Sequence, residues 1–298
     1  MPQAHRLAQY GQVDAAPCDV HPKPFYSIIV PAYNEAAWLP QLLEALTAQQ
    51  TDRPYEIIVV ANNCTDQTAQ IARARGARTI EYTNPGYGVA YARQVGLLHA
   101  QGELIATTDA DAVMAPTWLA TLCRPLLQNS TCAAVTGTVR HYAEEAHQQV
   151  AYLKTYDLLQ NAMRRLKCSA GYLERVTLGT NMAFRREQAL NVGGYQAHRV
   201  IGEDFAIGHA LSRYGGVRFI AVETAAVYSS ARRFAGKSLW NVLRHDLGGV
   251  DCLFLHICVL NALPFNRLSK EPSVVVAEFG CDSCRRLAYT ARLRSLSL

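Results

Sequence analysis

The chain has 298 residues, half of them hydrophobic, with 29 Lys and Arg against 24 Asp and Glu and a formal charge of +5. That length and apolar share argue against a wholly disordered chain and suffice for one large α/β domain or two intimate lobes. The basic excess is mild and no long block of lysines or arginines occurs, which argues against nucleic acid and suits a phosphate-bearing small molecule better.

Residues 1–24 contain Pro2, Pro17, Pro22 and Pro24 and lack the apolar core of a secretory leader, so they read as a loose extension. The fold is expected to begin at Phe25. Tyr26 to Pro31 is a β-rich run, buried on both faces if parallel. Ala32-Tyr33-Asn34-Glu35 turns into a helix with Trp38, Leu39, Leu42, Leu43 and Leu46 as its apolar stripe. The unit repeats as a strand from Tyr55 to Val60, a polar turn from Ala61 to Asp66, and a helix from Thr68 to Ala74. A weaker strand at Arg78 to Tyr82, the stretch Gly86-Tyr87-Gly88, a helix from Val89 to His99 and a strand ending at Asp109 complete four alternations. These predict an α/β fold with a mostly parallel sheet and right-handed crossovers. No Gly-x-Gly-x-x-Gly follows the first strand, which disfavours a nicotinamide enzyme.

The run Glu103 to Asp111 is apolar and closes on two carboxylates separated by one small residue. In an extended segment Asp109 and Asp111 project to the same side, at the strand's carboxyl end where open α/β sheets bind ligands. Such a pair suits Mg2+ or Mn2+, with solvated turn aspartates as the plain alternative. Gly202-Glu203-Asp204 precedes Phe205, Ile207, Ala210 and Leu211 at helical spacing, so both acids fall in a first helical turn. There the helix dipole favours their ionised form, as a base or simply as caps. Val139 to Lys167 reads as one helix with Tyr152, Tyr156, Leu159, Met163 and Leu166 facing the core and Arg164, Arg165 and Lys167 solvated. The apolar run Cys252 to Phe265 is interrupted by His256 and Asn261 and falls short of the roughly 20 residues of a membrane span, so a buried helix is expected. Nine scattered cysteines suggest a reduced cytosolic protein, and Cys281 and Cys284 form an isolated pair.

Taken in order, several pieces together resemble the inverting family-2 glycosyltransferases from about Phe25 to Arg233. They are Ile28-Ile-Val-Pro-Ala-Tyr-Asn-Glu35, the turn after the second strand, Gly88-Val-Ala-Tyr-Ala-Arg93, Asp109-Ala-Asp111, Gly179-Thr-Asn-Met-Ala-Phe-Arg185, Gly193-Gly-Tyr195 and Gly202-Glu-Asp204. The resemblance implies a GT-A fold, with a nucleotide-sugar half (25–137) and an acceptor half (138–235) on one continuous sheet. A C-terminal helical extension (236–298) would follow. It also implies a nucleotide-diphospho-sugar donor, a UDP-sugar foremost, a divalent metal (Mn2+ or Mg2+), and a sugar, lipid-linked or small-molecule acceptor.

By the same resemblance Asp111 is the direct metal ligand, and Asp109 touches the donor's ribose or sugar, through the metal's water. Asp204 is the general base and Glu203 its support. Pro31, Ala32, Tyr33 and Glu35 form the base-and-ribose pocket, which Arg93 reaches. Asn62 stands where the pattern usually has an aspartate that accepts from uracil; its amide also donates, so uridine loses some of its privilege. Asn181 is expected to bond donor or acceptor sugar, and Arg232 and Arg233 to lie near the donor phosphates. His245 is a remote candidate for a further metal ligand. Apart from the resemblance, the Val139–Lys167 stripe, with its basic rim, would border the acceptor site or rest on a bilayer surface; with the reduced cysteines, the expected location is cytoplasmic with peripheral contact at the inner membrane face. The alternatives are a polyprenyl-phosphate glycosyltransferase, a catalytically silent nucleotide-binding protein, and a nucleotidyltransferase. The last lacks the glycine-rich basic loop it would want after strand one.

Overall fold

The computed structural model describes residues 23–83, 88–142, 150–169, 177–197 and 202–234. The chain divides into two units, Met1–Ala231 and Arg232–Leu298. Gly86, Tyr87, the side chain of Tyr152, Trp240, His245, the apolar run 252–265, Cys281 and Cys284 lie outside the described residues.

The four expected strands form: β1 (Tyr26–Ala32), β2 (Tyr55–Asn62), β3 (Arg78–Tyr82) and β4 (Leu104–Thr107), joined through α1 (Leu39–Thr47), α2 (Thr68–Ala74) and α3 (Val89–His99). β1 pairs in parallel with β2 on one side and β4 on the other, and β3 flanks β2. Every residue of β1 is buried, as helices on both faces of a parallel sheet require. On α1, Leu39, Leu42, Leu43 and Leu46 recur at helical spacing and are all fully buried. Each such leucine contributes about 1.5–3 kcal/mol by leaving water. Pro40 stands in the first turn, where its missing N–H costs nothing.

Past β4 the sheet changes character. β8 (Met182–Arg185) inserts antiparallel between β4 and β6 (Cys132–Gly137), and β9 (Gly216–Ile220) ends the order β3-β2-β1-β4-β8-β6-β9. A three-stranded sheet of β5 (Ala112–Met114), β10 (Val227–Ser230) and β7 (Val139–Tyr142) stands beside it. The remaining helices are α4 (Trp118–Gln128), α5 (Val150–Ser169), α6 (Arg186–Asn191) and α7 (Glu203–Leu211). This mixed α/β architecture, a large mostly parallel sheet flanked by helices, is the expected one.

Two expectations are corrected. The strand thought to run to Asp109 ends at Thr107: the Ile29–Thr107 register pair is the last, Thr108 N donates to Ile29 O at 3.2 Å, and the chain then turns into β5. Residues 139–142 form a strand and α5 begins only at Val150. Its buried side chains are Leu153, Tyr156, Asp157, Arg164 and Lys167, while Leu158, Leu159 and Leu166 face outward. Polar partners turn the helix this way. Asp157 accepts from His141 N and pairs with its ring Nδ1, both at 2.7 Å, and Asn161 Nδ2 donates to Val139 O at 2.9 Å. Arg164 donates to Gly137 O at 2.9 Å and lies over the Phe219 ring at 5.1 Å. Burial pulls its guanidinium down to about 10, still charged at neutral pH.

Candidate active site

Arg93, in the third turn-to-helix unit, is buried within α3 at the carboxyl edge of the sheet. Its Nη2 donates to Asp109 Oδ1 at 2.7 Å, and its Nη1 donates to Glu203 Oε1. One guanidinium thus joins an acid that follows β4 to an acid at the start of α7. Burial works against its charge, but Asp109 and Glu203 outweigh that and raise its pKa. Arg93, expected to reach the base-and-ribose pocket, has both arms of its fork on carboxylates. Gly179 is what lets it lie there: a Cβ at that position would run into the guanidinium.

The segment Gly179–Thr180 makes a second link. Thr180 Oγ1 donates to the other oxygen of Asp109, while Gly179 N donates to Asp204 Oδ2 at 2.9 Å. Phe205 N donates to Asp204 Oδ1 at 2.8 Å, and Thr177 Oγ1 holds the Asp204 carbonyl at 2.7 Å. Gly202, at φ +74°, provides the left-handed residue that opens α7. Glu203 and Asp204 therefore do fall in its first turn. Their electrostatics differ from the dipole argument: burial pushes both carboxyls up, more strongly than Arg93 and the backbone N–H groups pull Asp204 down. A carboxylate held above its ordinary value is a better proton acceptor near neutral pH.

Asp111 stands in the turn just before β5 of the small sheet. Its carbonyl accepts from Ser230 N at 3.1 Å and from Tyr142 Oη at 3.4 Å, and its Oδ1 accepts from Ser229 Oγ at 3.3 Å. Because β4 has already ended, Asp109 and Asp111 do not share one pleat and take different partners. No group of three His, Cys, Asp or Glu side chains able to hold a cation occurs among the described residues. A single buried carboxylate, Asp111, nonetheless fits Mg2+ or Mn2+, which complete their shell with diphosphate oxygens and water. Asp109 fits less well, since its two oxygens meet Arg93 and Thr180. Asp109, expected beside the cation together with Asp111, forms an ion pair with Arg93.

The turns after β1 and β2 are tied to each other. Asn34 and Asn63 both adopt left-handed backbone, which asparagine tolerates. Thr65 N donates to Asn34 Oδ1 at 2.8 Å, Ala36 N donates to Asp66 Oδ2 at 3.0 Å, and Glu35 N donates to Thr68 Oγ1 at 2.8 Å. Pro31, Ala32 and Glu35 are buried there, and Tyr33 is 62% exposed. Asn62 is buried too, donating to Gly88 O at 3.3 Å and accepting from Asn63 Nδ2 at 2.8 Å.

Asn181, expected to bond donor or acceptor sugar, is turned inward. It is fully buried, accepts from Trp118 Nε1 at 3.0 Å, and donates to Thr138 O and Ala225 O, both at 2.8 Å. Its amide thus braces the sheet. Arg232, exposed, and Arg233 belong to the second unit, and the side chain of Arg233 lies outside the described residues. Sequence reasoning missed Gly179, Thr180, Ser229 and Tyr142 as site builders. The first two stood inside a recognised motif, but spacing along a chain does not say which carboxylate a hydroxyl or an N–H will meet.

The family described as glycosyl transferase family 2 matches residues 27–191. An undecaprenyl-phosphate 4-deoxy-4-formamido-L-arabinose transferase of Sodalis glossinidius is 32% identical over 127 residues, covering 40% of this chain and 38% of that protein. An uncharacterized glycosyltransferase of Mycobacterium tuberculosis is 38% identical over 88 residues, covering 30% of this chain and 37% of its own. The matched stretch thus spans less than 40% of either relative's length. Among solved structures, a mannosyltransferase of Pyrobaculum calidifontis in complex with GDP-Man and Mn2+ superposes with a TM-score of 0.57 at 23% identity, covering 98% of this chain and 86% of that one. TarS 1–349 of S. aureus in complex with UDP gives 0.52 at 19% identity, covering 69% and 60%. At these identities the likeness is one of fold.

Proposed function

Because the chain belongs to glycosyl transferase family 2, we propose that it moves a sugar from a nucleotide-diphospho-sugar to an acceptor hydroxyl, with inversion at the anomeric carbon. The observation that carries this reading is the Arg93 bridge. It gathers Asp109, from the nucleotide half, and Glu203, next to Asp204, from the acceptor half at one edge of the sheet.

Asp204 takes the proton of the acceptor hydroxyl as that oxygen forms its bond to the anomeric carbon. The bond from the anomeric carbon to the β-phosphate oxygen breaks, and its electron pair leaves with the nucleoside diphosphate. The raised carboxyl of Asp204 favours this transfer, and the two backbone N–H groups from Gly179 and Phe205 fix its orientation. Glu203 holds Arg93 in place. Asp111 would hold the Mn2+ or Mg2+, whose chemistry is to neutralise the charge that develops on the departing diphosphate. Asp109, held by Arg93 and Thr180, meets the donor's ribose or sugar in this reading. Pro31, Ala32, Tyr33, Glu35 and Asn62 hold the nucleoside, with the exposed Tyr33 ring able to lie against the base. UDP is the first choice of nucleotide, though the amide of Asn62 leaves room for other bases.

A second reading takes a polyprenyl phosphate as acceptor. It draws on the Sodalis glossinidius relative, whose name gives undecaprenyl phosphate. A phosphate acceptor brings its own anionic oxygen and asks less of Asp204. No described helix is long and apolar enough to cross a membrane.

The test is turnover of UDP-, GDP-, CDP- and TDP-sugars with and without Mn2+. Hydrolysis or transfer with one nucleotide class, lost in Asp204→Asn, supports the hydroxyl reading. Transfer to a polyprenyl phosphate that survives Asp204→Asn supports the second. No turnover of any nucleotide sugar overturns both.

A further inference from the structure

α5 spans 20 residues, roughly 30 Å of helix. At 100° per residue, its outward residues Lys154, Arg165, Leu158, Ser169, Ala162, Thr155, Leu166 and Leu159 fall in that order across an arc of about 140°. Leu158 is 71% exposed, Leu159 50% and Leu166 56%. Three leucines turned to water on one helix face form a contiguous apolar patch of the kind that marks an interaction surface.

Charge identifies the partner. The exposed Lys154 and Arg165 line one edge of the arc. The helix's sole acid, Asp157, is turned inward onto His141. An outward face with cations along one border, leucines spread from beside them to the opposite border and no carboxylate matches the interface between the headgroups and acyl chains of an anionic bilayer, where leucines enter the hydrocarbon and Lys and Arg stems reach the phosphates.

We propose that this face of α5 lies on an anionic lipid surface, with Leu158, Leu159 and Leu166 inserted and Lys154 and Arg165 meeting lipid phosphates. The inner face of the same helix holds β7 through Asp157 and Asn161 and the end of β6 through Arg164. The helix would therefore bring the acceptor half to the lipid. The proposal goes beyond the sugar-transfer reading and does not depend on it.

The full chain is floated with vesicles of phosphatidylcholine alone and of phosphatidylcholine with phosphatidylglycerol. The wild-type chain is expected to float with the anionic vesicles and weakly with the neutral ones. Leu158→Glu/Leu166→Glu should reduce binding at least about tenfold, because each leucine's burial is worth about a factor of ten in partition. Lys154→Gln/Arg165→Gln should erase the preference for anionic lipid, at roughly fivefold per charge. Thermal unfolding of all variants and hydrolysis of a nucleotide sugar without vesicles are run alongside, and both should be unchanged. If the wild-type chain floats with neither vesicle, or the leucine variant floats as well as wild type, the proposal is overturned. A leucine variant whose melting temperature falls by several degrees shows that protein covers this face, and overturns it too.

Discussion

The guanidinium of Arg93 donates through Nη1 to Oε1 of Glu203, 110 residues further along the chain, while its Nη2 holds Asp109. One buried cation serving a buried acid, Glu203, and a half-buried one, Asp109, makes this contact more than a surface ion pair. Removing the cation strands both carboxylates, and breaking such a pair costs about 3–5 kcal/mol. Arg93→Met is therefore expected to lower stability by that amount in urea denaturation. Arg93→Lys should recover only part of it, since an ammonium lacks the fork that reaches two acids. A variant as stable as wild type would show that the bridge holds nothing together.

Asp204→Asn keeps the shape of the side chain but cannot take a proton. Loss of a general base lowers turnover by about 10²- to 10⁴-fold, with donor affinity intact. Single-turnover kinetics beside nucleotide titration separate the two quantities. Equal losses in both would make Asp204 a binding residue.

The pH profile follows from the direction of the Asp204 shift. Burial raises its carboxyl, so the ionised base is lost as pH falls through a value above the ordinary aspartate range of about 4. The acid limb of kcat/KM should therefore lie higher than for an exposed aspartate. Arg93 lowers the Asp204 pKa. Taking that charge away raises it further, and Arg93→Met should move the limb to higher pH. A limb that stays put, or moves down, refutes the assignment.

Asp111→Ala should abolish the Mn2+-dependent part of nucleoside diphosphate binding and leave any metal-independent part. Calorimetric titration of UDP and GDP, each with and without Mn2+, measures this. Retention of the full metal effect would place the cation elsewhere.

Asn181→Ala is expected to act on stability and not on donor recognition. It would orphan the indole N–H of Trp118 and the carbonyl of Ala225, each at about 1–3 kcal/mol when left unpaired in the interior, while the Thr138 carbonyl keeps its bond from Val227 N. A fall in melting temperature with unchanged donor affinity is the expected result. The reverse would restore Asn181 to the sugar site.

Periodicity in the sequence was enough to locate β1 to β3 and α1 to α3, because a strand's twofold and a helix's 3.6-fold alternation are local properties that neighbouring residues impose on one another. The order of short motifs was likewise enough to single out Asp109, Asp111, Glu203 and Asp204. Partnership is a different matter. That Arg93 would join two acids, that Asn181 would turn inward to Trp118, and that α5 would bury Arg164 and Lys167 while exposing Leu158 and Leu166 were decided only when distant segments met. A buried polar group must find its partner wherever the packed chain presents one. That partner can lie 110 residues away, at a distance no local pattern encodes.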